Sequence, residues 1–288
     1  MKIKYNKDIS IPFLLSNLSV RGRFLRLEEV STKILKQHVY PLPIARVLTE
    51  ILAASAALAG FLKYEGVFTL QTKSNGPIEL LVVDMTHTGN MRGYVQFRKK
   101  SVKAKDSFAD LFGEGYLAFT VDEKQNLERY QGIVNLNRES LTSAIEHYFD
   151  QSEQLKTRVV IASQQSSQGK WISSVLLLQQ MPSLNPNEDS WNYIDAILST
   201  LTQKELLDFS IPYETFLWRL FHETGLQIFD PLPLQAQCRC SEERIKVFLT
   251  TLSSEEIEGL LKNGQLKITC EFCNHTYKFN RNDLMTVH

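Results

Sequence analysis

Residues 66–85 have the sequence GVFTLQTKSNGPIELLVVDM, and this stretch decides the fold class of the first part of the chain. Residues 66–73 form a strand-like run that leads to Asn75-Gly76, a residue pair typical of β-hairpin turns. Residues 78–85 are nearly all apolar, which predicts a strand buried on both faces. The stretch therefore predicts two antiparallel strands joined by a tight turn.

Turn signals such as Thr88-Gly89-Asn90 separate this hairpin from the next part of the chain. Further strand-like runs lie at 93–97, 116–121, 130–136, 158–162 and 171–181. Meandering antiparallel pairing is the default for strands linked by hairpins. Two helices are predicted among them, at about 44–62 and at about 139–151, where the apolar residues form a single stripe. Residues 1–181 are therefore predicted to form an α+β domain of antiparallel strands and helices.

Composition excludes several classes of protein. The chain has 288 residues, of which 43% are hydrophobic, and this suffices for a sizeable core and two or more domains. Its net charge is zero, which argues against a general binder of polyanions. The longest apolar stretch, 51–62, is too short to span a bilayer and predicts a buried helix. The opening residues MKIKYNKDIS contain no apolar signal core, so we expect a cytoplasmic protein without a membrane partner.

Residues 182–231, here called the linker segment, differ from the domain before them. Prolines lie at both ends of the segment, and helical apolar patterns lie between them. The segment carries 8 acidic and 2 basic side chains, a net charge of −6, whereas residues 1–181 have a net charge of +6. This asymmetry favours docking of the linker segment onto the preceding domain. An ordinary helical subdomain with a solvated acidic face is the alternative.

Residues 232–288 form a third part, a small C-terminal domain. Ser241 is a predicted helix N-cap, and Ser253 with Glu256 has the spacing of a capping box at the start of a second helix. Residues 265–280 predict two strands around a knuckle. The domain has few large apolar side chains, and at this size a fold usually needs a metal or a covalent cross-link.

The cysteines of the chain all lie in this domain, in the motifs CRC (238–240) and CEFC (270–273). They are Cys238, Cys240, Cys270 and Cys273. Zinc binds thiolates tetrahedrally, usually as two short-spaced pairs that the fold brings together, so the motifs predict one Zn²⁺ per chain. Two structural disulfides in a secreted protein and four unrelated thiols are the alternatives. His275 is a candidate for a spare ligand.

The same motifs also support a redox switch. Residues i and i+2 of an extended chain are at most roughly 6.6–7.2 Å apart, and a slight bend brings them within disulfide range. Oxidised sulfurs are poor zinc ligands, so oxidation should release the metal. Structural zinc contributes roughly 10–16 kcal/mol of apparent folding free energy in small peptides, whereas disulfides that close such short loops add far less. Oxidation should therefore unfold this domain. If the linker segment rests against it, the segment should loosen as well and expose apolar surface that binds other chains.

Several blocks of the sequence together resemble one known family. They are RGRFLRL (21–27), residues 51–94, YQGIVNL (130–136), residues 139–158, RLFHE (219–223) and the closing CRC…CEFCN. The chain resembles the bacterial redox-regulated heat-shock chaperones, heat-shock protein thirty-three, over essentially its whole length. The cysteine motifs with their long spacer are the most specific part of this resemblance.

The resemblance implies an ATP-independent holdase of the bacterial cytoplasm, whose N-terminal domain packs antiparallel sheets with helices. In that family the reduced protein holds one zinc ion on four thiolates and is inactive. Peroxide with heat, or hypochlorous acid, forms two disulfides between neighbouring cysteines and expels zinc. On this sequence the implied disulfides are Cys238–Cys240 and Cys270–Cys273, and the first is expected to form more slowly because the linker segment must yield.

The resemblance also implies partners and a division of labour. The partners are unfolded or oxidatively damaged client proteins and, in the active state, a second copy of the chain. Residues 1–181 would bind clients and form the dimer, residues 182–231 would be the redox-sensitive helical linker, and residues 232–288 would be the zinc-binding redox switch.

Two other function classes remain open. A zinc-ribbon nucleic-acid binder needs a basic stripe with interleaved aromatic residues, whereas the C-terminal domain is charge-neutral and its Tyr277 and Phe279 suit its own core. A thiol–disulfide oxidoreductase places its CxxC in a βαβ context, which is not predicted here. The phosphate-binding motif GxxxxGK[ST] and the zinc-protease motif HExxH are absent from the sequence. We therefore expect a binding protein that is not an enzyme and has no nucleic-acid partner.

Overall fold

The computed structural model describes residues 7–123, 130–136, 139–182, 188–261, 264–280 and 283. The chain divides into two compact units, Met1–Ala236 and Gln237–His288. The strands of the first unit are β1 (Ile9–Leu15), β2 (Val20–Leu27), β3 (Gly66–Ser74), β4 (Ile78–Thr86), β5 (Asn90–Phe97), β6 (Gly115–Glu123), β7 (Tyr130–Asn135), β8 (Thr157–Gln165), β9 (Trp171–Gln180), β10 (Leu226–Ile228), β11 (Leu232–Pro233) and β12 (Gln235–Ala236). Its helices are α1 (Glu29–Leu35), α2 (Leu42–Ala59), α3 (Phe108–Phe112), α4 (Leu141–Tyr148), α5 (Glu188–Thr200), α6 (Gln203–Leu206) and α7 (Tyr213–Phe221).

The strands of the first unit form two sheets. The first sheet has the order β10-β1-β2-β9-β8, and β11 also pairs with β1. The second has the order β12-β5-β4-β3-β6-β7. Apart from the parallel pair of β12 with β5, the strand pairs between described residues of this unit are antiparallel. The predicted α+β class and the antiparallel meander are confirmed.

The hairpin predicted from residues 66–85 is present, but its turn differs from the expected two-residue type. β3 pairs with β4 from Val67 opposite Thr86 to Lys73 opposite Leu80. Neither Asn75 nor Gly76 has a positive φ angle. A Cβ at Gly76 would lie 2.4 Å from the backbone of Phe112. Glycine is therefore required here by the close approach of the segment around α3, and not by turn geometry.

Some elements differ from the sequence-based expectation. The strands β1 and β2 were not predicted, because Pro12 interrupts the apolar run in one and three arginines interrupt it in the other. The helices α1 and α3 were also not predicted. The side chains of Leu80 and Val82 in β4 are half-buried, so the prediction that this strand is buried on both faces is only partly right.

The helix α2 lies between the two sheets and packs on strands of both. It begins after Pro41, with a further proline in its first turn, and runs for 18 residues to Ala59. By length and composition it could cross a membrane, yet 78% of it is buried inside the first unit. The predicted buried helix is therefore confirmed as a core helix, ending three residues earlier than expected.

The first sheet is apolar on both faces. Its inner face, towards α2, carries Leu25, Leu27, Val175 and Leu177. Its outer face packs against helices of the linker segment in a second apolar cluster that includes Ile9, Ile11, Phe13, Phe24, Leu176, Leu178, Trp191, Ile194, Leu206, Phe216, Leu217 and Phe221. The linker segment is thus docked on the preceding domain, as its charge favoured.

The second unit contains α8 (Glu242–Leu249), α9 (Ser254–Leu260), β13 (Gln265–Thr269) and β14 (Thr276–Asn280). The predicted caps are confirmed, because the hydroxyls of Ser241 and Ser253 accept hydrogen bonds from the first turns of α8 and α9. β13 and β14 form an antiparallel hairpin. Among the described residues of the unit, the buried apolar cluster is small and comprises Leu249, Ile257, Leu266 and Phe279. A core of this size leaves much of the unit's stability to other interactions.

Candidate metal centre

The CEFC motif occupies the loop between β13 and β14. The backbone N–H of Cys270 donates to the carbonyl of His275 at 2.9 Å, and the N–H of Asn274 donates to the carbonyl of Cys270 at 2.8 Å. Asn274 adopts a left-handed conformation with φ of 55°, which asparagine tolerates better than most residues. These bonds close a tight knuckle that holds Cys270 and Cys273 near each other.

The CRC motif begins two residues after Ala236, the last residue of β12, and is followed by the N-cap of α8. Cys238 Sγ lies 3.7 Å from Cys270 Sγ. Cys240 Sγ lies 3.4 Å from Cys273 Sγ. All four sulfur atoms lie within 4.8 Å of one another. The fold therefore brings together the four residues that the sequence singled out, here called the cysteine cluster.

The geometry of the cysteine cluster fits a tetrahedral metal ion. All four are free thiols, and the sulfur–sulfur contacts of 3.7 and 3.4 Å each join one motif to the other. A Zn–S bond of roughly 2.3 Å implies sulfur atoms roughly 3.8 Å apart in a regular tetrahedron. Because an all-sulfur donor set suits soft metals and not calcium or magnesium, the cluster can bind a thiophilic ion such as zinc.

Burial changes the acidity of the CEFC thiols. Removal from water raises the pKa of both Cys270 and Cys273, and the sulfurs of the CRC motif raise it further. Hydrogen bonds from the backbone N–H groups of Phe272 and Cys273 to the Cys270 sulfur oppose this effect. Thiolates at this position therefore need a nearby cation, so that metal binding and proton release are coupled.

Two other side chains lie beside the cluster. His275 is not among the residues whose donor atoms converge within 4.8 Å. Its ring instead meets the ring of Tyr277 edge-on, with the centroids 4.5 Å apart. The Tyr277 hydroxyl donates a hydrogen bond to Cys240 Sγ at 3.2 Å. Sequence reasoning assigned Tyr277 to the core of the small domain and missed this contact.

A second feature that sequence reasoning missed is a buried arginine under the linker segment. Arg26 lies on the outer face of the first sheet and is 0% exposed. Its guanidinium donates to the carbonyl of Ile211 at 2.6 Å and to that of Asp208 at 3.1 Å. The rings around it belong to Phe24, Phe209 and Phe216. Burial lowers the pKa of Arg26 to about 10, which leaves it charged at neutral pH.

A second arginine contacts the linker segment from the edge strand β8. Arg158 donates to both carboxylate oxygens of Asp195 on α5, at 2.7 and 2.9 Å. Its guanidinium also lies 5.5 Å from the ring centroid of Trp191. This ion pair thus joins the acidic linker segment to the basic domain before it. This pair is partly exposed, so it adds orientation more than stability.

Comparison with known proteins gives one consistent result. A family model described as "Hsp33 protein" matches residues 8–280. The 33 kDa chaperonin of Ectopseudomonas mendocina is 37% identical over 285 residues, covering 96% of this chain and 94% of that protein. The 33 kDa chaperonin of Caulobacter vibrioides is 35% identical over 286 residues, covering 95% of each. That of Escherichia coli is 34% identical over 276 residues, covering 96% of this chain and 93% of that protein.

The fold also matches a solved structure. The crystal structure of the 33 kDa chaperonin from Thermotoga maritima superposes with a TM-score of 0.84 and covers 97% of each chain. The two sequences are 23% identical, so this match concerns the fold.

Proposed function

The chain belongs to the Hsp33 family, and we propose that it is a redox-regulated, ATP-independent chaperone that binds unfolding proteins and prevents their aggregation. Its partners in this proposal are unfolded or oxidatively damaged proteins of the bacterial cytoplasm. It acts by binding, without catalytic turnover. Residues 1–181 bind clients and form a homodimer in the active state, residues 182–231 are the redox-sensitive linker, and residues 232–288 are the switch.

In the reduced state, Cys238, Cys240, Cys270 and Cys273 hold one zinc ion as thiolates. The four thiolates would hold the ion, and a bound zinc would stabilise the contact of the CRC motif with the knuckle of the CEFC motif in a unit whose apolar cluster is small. The sulfur–sulfur distances of 3.4 and 3.7 Å between the two motifs support this assignment. The reduced state is the inactive one.

Oxidation by peroxide with heat, or by hypochlorous acid, converts the four thiolates into the disulfides Cys238–Cys240 and Cys270–Cys273. Sulfurs paired in this way are poor ligands, so zinc is released. The two disulfides close loops of three and four residues, which constrain the unfolded chain very little. The second unit therefore loses its main source of stability.

The observation that carries the proposal is the apolar outer face of the first sheet. The linker segment covers this face with α5, α6 and α7, which are 13, 4 and 9 residues long. Isolated helices shorter than about 12–15 residues are marginally stable in water. The linker segment continues through β11 and β12 directly to Cys238. Once the second unit unfolds, the short strand pairs of β10 and β11 with β1 and of β12 with β5 still hold this end of the covering segment, and their opening together with the short helices makes apolar surface available to clients.

The proposal is tested by light scattering from a heat-unfolding client protein. The full chain is added either reduced and zinc-loaded or oxidised with peroxide at elevated temperature. We expect suppression of scattering only by the oxidised form. Equal suppression by both forms would show a chaperone whose zinc is merely structural. No suppression by either form would remove the chaperone assignment.

A further inference from the structure

The hydroxyl of Tyr277 makes a contact with the cysteine cluster that the proposed switch does not use. Tyr277 lies on β14, directly opposite Ile268 on β13, and its side chain is half-buried against the small core. Its O–H donates to Cys240 Sγ with an oxygen–sulfur distance of 3.2 Å. The hairpin and the edge-on ring of His275 fix the direction of this donor.

The two sulfurs of the CEFC motif are stabilised in a different way. In the knuckle, backbone N–H groups donate to Cys270 and Cys273, from Phe272, Cys273 and His275. These donors belong to the main chain and cannot be altered by exchanging a side chain. Cys240, by contrast, receives a hydrogen bond from a side chain. One substitution can therefore change the environment of one sulfur and leave the knuckle intact.

We propose that Tyr277 is a positioning residue that slows oxidation of the Cys238–Cys240 pair, and this role rests on the proposed redox function. A hydrogen bond to a thiolate withdraws electron density from the sulfur lone pair that attacks an oxidant. It also holds the sulfur in place beside Cys273. The hydroxyl thus makes Cys240 a poorer nucleophile and fixes the position of its sulfur.

The reaction that this contact slows has two steps. The Cys240 thiolate attacks one oxygen of a peroxide, the O–O bond breaks, and an S–O bond forms, giving a sulfenic acid and, after protonation, water. The Cys238 thiolate then attacks the sulfenic sulfur, the S–S bond forms, and a second water leaves. The two sulfurs together lose two electrons, and hydrogen peroxide gains them. Tyr277 acts on the first step, because its hydrogen bond competes for the attacking electron pair.

The matched experiment uses Tyr277→Phe and Thr276→Val in the full chain. The first substitution removes only the hydroxyl that contacts sulfur. The second removes a hydroxyl from the same strand, one that bonds Thr269 across the hairpin at 2.9 Å and not sulfur. Zinc-loaded proteins are exposed to hydrogen peroxide. Zinc release is followed with a chromogenic chelator, and each cysteine pair is followed by alkylation and mass spectrometry.

In Tyr277→Phe we expect the Cys238–Cys240 pair to oxidise about tenfold faster, in line with the size of effects from groups that support metal ligands. The initial oxidation rate of Cys270–Cys273 should stay as in the wild type, and Thr276→Val should match the wild type at both pairs. Equal acceleration of both pairs would mean general loosening of the hairpin and would overturn the proposal. An unchanged rate at Cys238–Cys240 would also overturn it.

A second readout is independent of oxidation. In protein loaded with cobalt(II) in place of zinc, loss of the hydrogen bond raises the energy of the sulfur lone pair. The thiolate-to-cobalt charge-transfer band of Tyr277→Phe should therefore move to longer wavelength, and an unshifted band would contradict the contact.

If wild-type protein neither forms disulfides nor releases zinc under peroxide, the proposed redox function fails, and this role of Tyr277 fails with it. Normal release by wild type together with an unaltered Tyr277→Phe overturns the Tyr277 proposal alone.

Discussion

The two faces of the first sheet are both apolar, but they are covered in different ways. The inner face lies against α2, a continuous helix of 18 residues that is packed between two sheets. The outer face lies against three short helices of the linker segment, and the buried cation Arg26 lies within that interface. The inner covering is part of the core of the first unit. In the proposed switch the outer covering is the part that detaches, and its short helices, which would be marginally stable in isolation, suit that role.

The largest expected effect is that of removing a metal ligand. Cys238→Ser replaces a thiolate with a hydroxyl that does not bind zinc comparably, so much of the roughly 10–16 kcal/mol of apparent stabilisation by structural zinc should be lost. We expect low zinc content and increased protease cutting within residues 182–231 without any oxidant. The exposed Val247 provides a control, since Val247→Ser should retain full zinc content. Full zinc content in Cys238→Ser would exclude Cys238 as a ligand.

The next effect separates the two coverings directly. Ile51 in α2 and Leu217 in α7 are both 0% exposed, and a carboxylate at either position costs on the order of 5 kcal/mol. Ile51→Asp should abolish the cooperative unfolding transition of the first unit. Leu217→Asp should leave that transition in place and should raise binding of a hydrophobic dye by the reduced protein. Circular dichroism and dye fluorescence measure the two outcomes. If Leu217→Asp unfolds the protein as completely as Ile51→Asp, the coverings of the two faces contribute equally to the stability of the first unit, and the proposed difference between them is wrong.

A smaller effect is expected for Arg26. Arg26→Met removes the donors to the carbonyls of Ile211 and Asp208 while keeping a long apolar side chain. Loss of these two hydrogen bonds costs about 1–3 kcal/mol, even though the Asp208 carbonyl also accepts from the Ile211 N–H at 3.4 Å. We expect faster proteolysis of the linker segment in reduced protein, with the cutting of α2 unaffected. A rate of linker cutting equal to that of wild type would show that the buried cation does not fix the segment.

The smallest effect is expected for the partly exposed pair of Arg158 with Asp195. Asp195→Asn removes one charge from a contact that is open to solvent and salt, so it should destabilise the docked linker by no more than about 1 kcal/mol. High salt should weaken docking in wild type and should have less effect in the variant. Linker proteolysis at low and high salt measures this difference. If Asp195→Asn destabilises the docked linker as much as Arg26→Met does, the ranking of the two contacts is wrong.

The cysteine cluster and the hairpin at residues 66–85 were predictable because their signals are local. Two motifs of cysteines at short spacing define a metal site wherever the fold brings them together. Hydrophobic alternation and turn residues likewise define strands within a few residues of each other. The caps at Ser241 and Ser253 belong to the same class of signal.

The features that escaped prediction depend on partners distant in sequence. Arg26 interrupts the apolar pattern of β2, and only the linker loop at Asp208 and Ile211, more than 180 residues later, explains it. Tyr277 has the spacing of a core residue, and its contact with Cys240 exists only in three dimensions. The sequence did contain one signal that the outer face of the first sheet is covered. The run from Val175 to Leu178 in β9 is apolar without alternation, which indicates a strand that is covered on both faces.

Hydrogen–deuterium exchange on the full chain tests the central claim most directly. Reduced, zinc-loaded protein is compared with peroxide-oxidised protein, and exchange is followed by mass spectrometry in α2, α5 and α7. The account predicts that oxidation removes the protection of α5 and α7 and leaves α2 protected, because only the outer face is uncovered. Unchanged protection of α5 and α7 after zinc release, or loss of protection in α2 together with them, would contradict it.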